Sequence, residues 1–341
     1  MKPKALVLQS HGSNRDLDVI EALTLAGAHT TGVPLNELRR NKTLFSDFQL
    51  LVIPGGFSYA DALGAGKLLA LDLASYFADE ISAFVDSGKP LIGICNGFQA
   101  LVKSGILPGD DVIARRRRST GGDRSAVSSV LLDRTETKAT KQSPNKQRIT
   151  GNEETLAPGV ICQTNHAGVA SGYPSTALRS AHTSPGAFRE DERPRNDMLA
   201  TLTFNAQGHF ECRWVTVKPV SQKCIWTHGL DELIECPIAH GEGNFQVSGH
   251  FPLSTFRSQD QIALTYVCPD GSPANGEYPA NPNGSILDIA AICNPSGNVL
   301  GLMPHPENHI HPHQHPRWRR GMNGRSGLSL FKNGVKYASQ L

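Results

Sequence analysis

Three short apolar runs in the first hundred residues constrain the fold of this chain more than any other feature. They are KALVLQ (4–9), QLLVIPGG (49–56) and KPLIGI (89–94), and stretches with apolar residues at helical spacing lie between and after them. A strand covered on only one face alternates apolar and polar residues, whereas a strand buried on both faces is apolar throughout. The pattern therefore predicts an α/β fold with an open, mostly parallel sheet and helices on both faces.

The second half of the chain adds further strands and a closing helix. The stretch LATLTFNAQGHFECRWVTV (199–217) alternates around a turn-like Asn-Ala-Gln-Gly and predicts a β-hairpin. The runs ECPIAHG, QIALTYV, DIAAICN and VLGLMP predict four more strands, and SGLSLFKNGVKYASQ predicts a C-terminal helix. Function in such sheets gathers at the carboxyl ends of the parallel strands, so the residues that follow each strand are candidates for a site.

Residues 111–196 differ in composition from everything around them. The segment is rich in Arg, Ser, Thr, Gly and Pro, and its only aromatic residues are Tyr173 and Phe188. Since so few large apolar side chains cannot offset the entropy lost on ordering, we expect this segment to be disordered, with RRRR (115–118) as a solvated charge run. The sequence therefore predicts one domain, formed by residues 1–110 and 197–341, with 111–196 as an insertion.

Composition excludes several classes of function. The formal net charge of +2 is too small to indicate a polyanionic partner, so we expect no nucleic-acid binding. No apolar stretch has the length of a signal-peptide core or a membrane span, so we expect no membrane partner. The seven cysteines are scattered without paired spacing, which favours reduced thiols and a cytoplasmic location.

The third apolar run ends in GICNG (93–97), a Gly-x-nucleophile-x-Gly sequence centred on Cys95. In this motif a strand turns so sharply into a helix that side chains two positions before and after the nucleophile would collide. A cysteine placed there lies at a helix N-terminus, where free backbone N–H groups and the helix dipole favour the thiolate. The alternative is a buried structural cysteine, the usual fate of a free thiol.

A nucleophilic cysteine needs an oxyanion site and a base. PGGF (54–57) ends another strand, so Gly55 and Gly56 are candidates to present backbone N–H groups, together with the amide of Asn96. Two His-x-Glu sequences compete for the base, His305 with Glu307 and His240 with Glu242, and spacing alone does not separate them.

The histidine-rich run HIHPHQHP (309–316) suggests a metal site at first sight. Its prolines point instead to an irregular loop, and no Cys or Asp lies close by to complete a ligand set, so we expect no metal site. The sequence also contains no Walker-type phosphate loop.

Several longer blocks resemble one family. VIPGGFSYADALGAG, GICNGFQALVKSGILPG, FECRWV, CPIAHGEGNF, YPANPNGS and DIAAICNPSGNVLGLMPHPE, with HGSNRD near the start, resemble in order and sequence the glutaminase subunits of phosphoribosylformylglycinamidine synthase, members of the class I, triad-type glutamine amidotransferases. The blocks cover essentially the whole chain except the insertion, which has no counterpart in the family pattern.

The resemblance implies a Rossmann-like, flavodoxin-like amidotransferase architecture and assigns the candidate residues. Cys95 matches the nucleophile and His305 with Glu307 the other triad members, which decides between the two histidines. Gly56, beside Gly55, and Asn96 match the oxyanion donors, and Gln99 lies where family members contact glutamine.

The resemblance also implies the reaction and the partners. The chain would hydrolyse glutamine and pass ammonia to a synthetase subunit, which converts formylglycinamide ribonucleotide into the amidine in purine synthesis, with a small accessory subunit. ATP and magnesium would be used by the synthetase, and this chain would need no cofactor. The alternatives are a glutaminase subunit of another amidotransferase, a stand-alone cysteine hydrolase, and a non-catalytic regulatory or binding module.

Overall fold

The structure is a computed structural model that describes residues 1–109, 199–248, 253–322 and 324–341. The expected insertion at 111–196, its disorder and its basic run at 115–118 lie outside the described residues. In the described ranges, the chain forms a central nine-stranded sheet, a separate pair of short strands, and helices packed against the central sheet.

Eleven strands occur in the described ranges: β1 (Lys4–Gln9), β2 (His29–Pro34), β3 (Leu50–Ile53), β4 (Leu91–Ile94), β5 (Ala200–Thr203), β6 (Glu211–Pro219), β7 (Ile234–His240), β8 (Asn244–Val247), β9 (Ile262–Val267), β10 (Ile289–Cys293) and β11 (Val299–Leu302). The central sheet has the order β2-β1-β3-β4-β11-β10-β9-β6-β7. Its first five strands are parallel neighbours, and the other four extend it by antiparallel pairing. The predicted open α/β sheet is thus confirmed.

The helices of the described ranges are α1 (Asp16–Ala26), α2 (Leu35–Arg40), α3 (Lys67–Tyr76), α4 (Ala78–Asp86), α5 (Asn96–Ser104), α6 (Leu253–Ser258) and α7 (Leu328–Ala338). Two of these helices, α3 and α4, follow one another along the chain and meet at Phe77. The chain moves from β1 to one side of the sheet and from β3 to the other, and right-handed crossovers then place α1 and α3 on opposite faces. No helix in the described ranges has the length and apolar character to cross a bilayer.

The hairpin predicted for residues 199–217 is wrong. The turn itself forms, with the Gly208 N–H donating to the carbonyl of Asn205 at 2.8 Å. However, β5 pairs with β8 in a separate two-stranded sheet, whereas β6 pairs with β7 on one side and β9 on the other. Because both edges of β6 are occupied, no edge remains for β5, and local alternation could not reveal those distant pairings.

The register of the central sheet places the candidate catalytic residues close together. Leu302 pairs with Ile94, and Ile53 pairs with Gly93, so β3, β4 and β11 end at the same edge of the sheet. Every residue of these three strands is buried. The segments that follow them carry the Pro-Gly-Gly turn, Cys95 and His305, and a reversal of strand order lies beside them between β1 and β3.

Candidate active site

The turn between β4 and α5 is the sharp bend predicted for GICNG. Cys95 has φ 48° and ψ −103°, a backbone conformation that L-residues rarely adopt. A Cβ on Gly97 would lie 2.0 Å from the carbonyl oxygen of Ile53, and one on Gly93 would lie 2.9 Å from the backbone of Gly97. The two glycines are therefore required by close backbone approach, and the strain at Cys95 is held in place by the packed sheet around it.

The thiol of Cys95 is enclosed but has polar neighbours. The residue is 4% exposed and stands immediately before the first turn of α5. Its backbone N–H donates to the carbonyl of Leu302 at 2.7 Å, which fixes the elbow against β11. Its Sγ lies 3.8 Å from the carbonyl oxygen of Ala239, at the end of β7. The sulfur therefore lies among polar groups rather than in a purely hydrocarbon pocket.

His305 follows β11 and faces the same site. Its Nδ1 lies 2.7 Å from Oε1 of Glu307, and both residues are buried. Since a carboxylate only accepts, Nδ1 carries the hydrogen and Nε2 is left for the thiol side. Burial lowers the pKa of His305, but the charge of Glu307 and then that of Cys95 outweigh it, together with hydrogen bonds to both residues, and raise the pKa to about 10. The ring is thus held as an imidazolium beside the sulfur at neutral pH.

Gly55 leaves the space in which the imidazole of His305 lies next to Cys95. A Cβ at this position would lie 2.7 Å from Cε1 of His305 and 3.5 Å from Cβ of Cys95. Real Cβ atoms essentially never lie as close to another heavy atom as the first of these distances. A side chain on Gly55 would therefore displace the imidazole from its position between Cys95 and Glu307.

We expect Gly55→Ala to lower the rate of any reaction at the Cys95 thiol by roughly 10²-fold, since misplacing a reacting group by about 1 Å has an effect of that size. The matched control is Gly241→Ala, because a Cβ there would meet only a Phe210 ring carbon at 3.8 Å. Steady-state kinetics and thermal unfolding of both variants would check this. Equal activity in the two variants, with both folded, would contradict the role of Gly55 as the space for the imidazole.

His240, the rival base, has a different environment. Its Nδ1 lies 3.1 Å from Oδ1 of Asn205, which also accepts the N–H of Gly243 at 3.0 Å, so Nδ1 donates. Burial, reinforced by the charge of His305, lowers the pKa of His240 to about 3, so the ring is neutral. Glu242 does not support it, because that carboxylate binds the N–H of Ala65 at 3.0 Å. Of these two histidines, only His305 has the thiol and carboxylate neighbours that a triad base needs.

The predicted substrate-binding residues Asn96 and Gln99 lie on the first turn of α5, and both are buried. Nε2 of Gln99 donates to the carbonyl of Glu242 at 2.7 Å, and its Oε1 accepts from Nδ2 of Asn96 at 3.1 Å. Both polar atoms of the Gln99 side chain are therefore bonded to protein groups. Its contact with glutamine stays a prediction, as do the oxyanion roles of Gly55, Gly56 and the Asn96 amide.

The histidine-rich run is engaged in structural contacts. Nε2 of His311 lies 2.8 Å from Oε1 of Glu21, and Nε2 of His315 lies 2.9 Å from Oε2 of Glu235, while the rings of His311 and His313 stack at 5.2 Å. Among the residues that the structure describes, no cluster of three or more His, Cys, Asp or Glu side chains is arranged to hold a metal ion. These histidines attach the loop after His305 to the rest of the domain.

Two parts of the site were missed by the sequence analysis. Strand β7 is last in the sheet order, yet its carbonyls reach the site, with Pro237 accepting the N–H of His305 at 2.8 Å. The turn after Gly56 contains three successive left-handed residues, Tyr59, Ala60 and Asp61, with φ of 55°, 53° and 51°. None of the three is the glycine that usually marks such a turn, so the sequence carried no signal for it.

Comparisons with known proteins show which proteins the chain is similar to. The chain matches the family model of the CobB/CobQ-like glutamine amidotransferase domain over residues 2–121 and 183–338. It is similar to phosphoribosylformylglycinamidine synthase subunit PurQ of Treponema denticola, with 43% identity over 340 residues and 99% of both chains covered. The protein of that name from Dehalococcoides mccartyi is 33% identical, with 100% of this chain and 99% of the relative covered. The structure of PurLQS from Thermotoga maritima matches with a TM-score of 0.58 at 24% identity and 99% coverage of both chains, which supports the fold.

The comparisons also correct one expectation about residues 111–196. The family model leaves out residues 122–182. The alignment with the Treponema denticola relative nevertheless covers 99% of both chains, so that protein has a counterpart of most of the segment. The segment is therefore not peculiar to this chain, although its designation as an insertion in a single domain stays a prediction.

Proposed function

This chain belongs to the glutamine amidotransferase family, among the subunits of phosphoribosylformylglycinamidine synthase, and we propose that Cys95, His305 and Glu307 are the residues with which it hydrolyses glutamine. The assignment rests on one observation. Cys95, in its strained backbone conformation, lies beside the buried imidazolium of His305, which is bonded to the carboxylate of Glu307. The relatives that match this chain over almost their entire length are named as subunits of a purine-biosynthetic synthase. These names disfavour a stand-alone hydrolase and an amidotransferase for another acceptor.

The first half of the reaction forms a thioester. The thiolate of Cys95 attacks the side-chain carbonyl carbon of glutamine, and the carbonyl oxygen becomes an oxyanion. His305 gives its proton to the amide nitrogen, the carbon–nitrogen bond breaks, and ammonia leaves from a γ-glutamyl thioester. Glu307 holds the imidazole in the tautomer that directs Nε2 to the reacting atoms and stabilises the imidazolium between steps.

The second half regenerates the enzyme. His305, now neutral, removes a proton from water, and the resulting hydroxide attacks the thioester carbonyl. The carbon–sulfur bond breaks, glutamate is released, and the Cys95 thiolate and the His305 imidazolium are restored. The balance is glutamine plus water to glutamate, ammonia and the proton that the new carboxyl group releases. In both halves the N–H groups of Gly56 and Asn96 would stabilise the oxyanion, each such donor being worth about 10²- to 10³-fold in rate.

The ammonia is passed to a synthetase subunit, with a small accessory subunit completing the complex. That synthetase uses ATP and magnesium to convert formylglycinamide ribonucleotide into the amidine, and the glutaminase chain needs no cofactor for its own half-reaction. The name of the relatives as synthase subunits supports this assembly, as does the deep enclosure of Cys95, which suits a product that must not escape to solvent.

A diazo ketone analogue of glutamine tests the assignment directly. We expect it to alkylate Cys95 alone among the seven cysteines, to be blocked by glutamine, and to react much more slowly with His305→Gln. Mass spectrometry of peptic fragments would locate the label. Labelling that favours an exposed thiol such as Cys212, or that glutamine does not prevent, would overturn the proposed function.

A further inference from the structure

The carboxylate of Glu307 has few contacts of its own to hold it in place. Its Oε1 bonds Nδ1 of His305 at 2.7 Å, whereas its Oε2 has no hydrogen-bond partner among the residues that the structure describes. Glu307 is also fully buried, so bulk solvent does not fix its orientation. The direction of this carboxylate therefore depends on the backbone turn that carries it, the 3₁₀ turn Pro306–Asn308.

Both ends of this turn are bonded to strand β7. Before the turn, the N–H of His305 donates to the carbonyl of Pro237 at 2.8 Å. After it, the N–H of His309 closes the turn on the carbonyl of Pro306 at 3.1 Å, and Nδ1 of His309 lies 2.5 Å from the carbonyl oxygen of Glu235. Since a backbone carbonyl only accepts, Nδ1 carries the hydrogen. His309 thus ties the end of the turn to the same strand that holds its beginning.

The ring of His309 is enclosed and neutral. The residue is 1% exposed, its ring meets that of Trp214 edge-on with the centroids 5.2 Å apart, and the ring of His315 lies 5.3 Å away. Burial lowers the pKa of His309 below its ordinary value of about 6.5, so the ring is uncharged at pH 7. Water does not compete for the bond from Nδ1, and this bond is the polar contact that orients the ring.

The segments on either side of His309 are anchored independently. Oε1 of Glu235 accepts from Arg325 at 2.6 Å and Oε2 accepts from Nε2 of His315 at 2.9 Å, while the N–H of Glu235 donates to the carbonyl of Arg325 at 2.8 Å. The carbonyl of His309 itself accepts the N–H of Gly327 at 2.8 Å. His309 is therefore held between β7 and the chain that returns at 325–327, and it passes this fixed position on to the turn before it.

From these contacts, and resting on the proposed function, we infer that His309 is a positioning residue of the triad: its bond to the Glu235 carbonyl sets the turn that directs the Glu307 carboxylate at His305. Its effect reaches the reacting atoms only through Glu307 and His305. The loss of this bond would therefore slow the chemical step and leave the binding of glutamine unchanged.

Two substitutions separate the hydrogen bond from the packing of the ring. His309→Asn keeps an N–H donor at the position of Nδ1 and loses the ring, whereas His309→Leu keeps much of the apolar volume and loses the donor. In complex with the synthetase subunit, we expect His309→Leu to lower kcat for glutamine hydrolysis between about tenfold and a hundredfold with KM unchanged. We expect kcat of His309→Asn to stay close to the parental value, although its thermal unfolding midpoint falls.

The imidazole of His305 gives a second readout that a packing role would not change. Its pKa, about 10 in the parent, should fall in His309→Leu, because a displaced Glu307 carboxylate stabilises the imidazolium less, and should be kept in His309→Asn. Titration of the imidazole nitrogens by NMR would measure it. The matched control is His313→Leu on the same loop, because that side chain is exposed and stacks on His311, and it should keep parental kinetics.

His309→Phe provides a second variant without the donor, which keeps a ring against Trp214 and should show the same loss; it carries the test if His309→Leu does not fold. A loss of kcat in His309→Asn as large as in the variants without the donor would overturn the inference in favour of packing. A raised KM with unchanged kcat, or a parental pKa of His305 in those variants, would also overturn it. If parental turnover does not require Cys95, the proposed function itself fails; if it does and the variants without the donor turn over normally, only the positioning role falls.

Discussion

Cys95→Ala is expected to abolish the use of glutamine by the synthase complex and to leave synthesis from free ammonia intact. The alanine removes the only atom that attacks glutamine in the proposed reaction, so glutamine-dependent amidine formation should fall roughly 10³-fold or more. In the proposed reaction the synthetase chemistry takes place on another subunit, which takes only ammonia from this chain. Amidine formation measured with glutamine and, separately, with an ammonium salt would check both halves.

A control thiol makes the comparison specific. Cys212 is exposed on β6, and Cys212→Ala should leave both activities at the parental level. If Cys95→Ala lost both activities, the site would be needed for assembly rather than for glutamine hydrolysis. If it lost neither, the nucleophile would be a different residue, and the strained elbow would not mark the reacting atom.

The part of the site that could be predicted from sequence is the part encoded by short segments. GICNG contains in five consecutive positions the glycines that a tight strand-to-helix turn requires, so the bend at Cys95 was predictable. The buried parallel strands were predictable for the same reason, because a short apolar run that ends at a glycine turn is typical of a strand covered on both faces. By spacing alone His305 was predictable only as one of two candidates, since His-x-Glu spacing also occurs at His240, and the family resemblance decided between them.

The two histidines differ in their tertiary contacts, and no short segment of the sequence encodes those contacts. His305 follows a strand that is inserted beside β4, although about two hundred residues lie between them in the chain, and this parallel register places it over Cys95. His240 ends β7 and donates to the amide of Asn205 instead. The failed hairpin at 199–217 has the same origin, because strand partners are chosen by packing across the whole sheet and not by the turn alone.

Two segments of the site adopt strained backbone conformations, and tertiary contacts hold both of them in place. The left-handed turn at 59–61 lacks glycine, and the elbow places a cysteine at positive φ, so the surrounding fold must offset the cost of both conformations. Asn96 accepts from the N–H of Ser58 and donates to Asp61, and these bonds hold one of the segments against the other. The strained backbone and these hydrogen bonds thus belong to one arrangement, in which the sheet fixes Cys95 and the Asn96 side chain fixes the segment beside it.

Glu307→Gln is expected to have the second-largest effect, because it removes the charge that contributes most to keeping His305 protonated. Turnover should fall roughly 10²- to 10⁴-fold, as when the acid of a triad is replaced by its amide. The pKa of His305, about 10 in the parent, should fall markedly, since burial then lowers it without an opposing carboxylate. Titration of the imidazole nitrogens by NMR would measure this shift, with His240, whose pKa is about 3, staying neutral in both proteins from about pH 5 upward.

Glu307→Gln should also change how the free energy of unfolding depends on pH. A histidine whose pKa is raised on folding stabilises the folded state fully below its unfolded pKa of about 6.5, and this contribution is lost as pH rises through the folded value of about 10. Raising the pH from 6.5 to 10 should therefore lower the free energy of unfolding of the parent more than that of Glu307→Gln, which has less of this contribution to lose. Denaturant unfolding across that range would measure the difference. Identical pH slopes in the two proteins, or a parental His305 that titrates near 6.5, would mean that no imidazolium is held beside the sulfur.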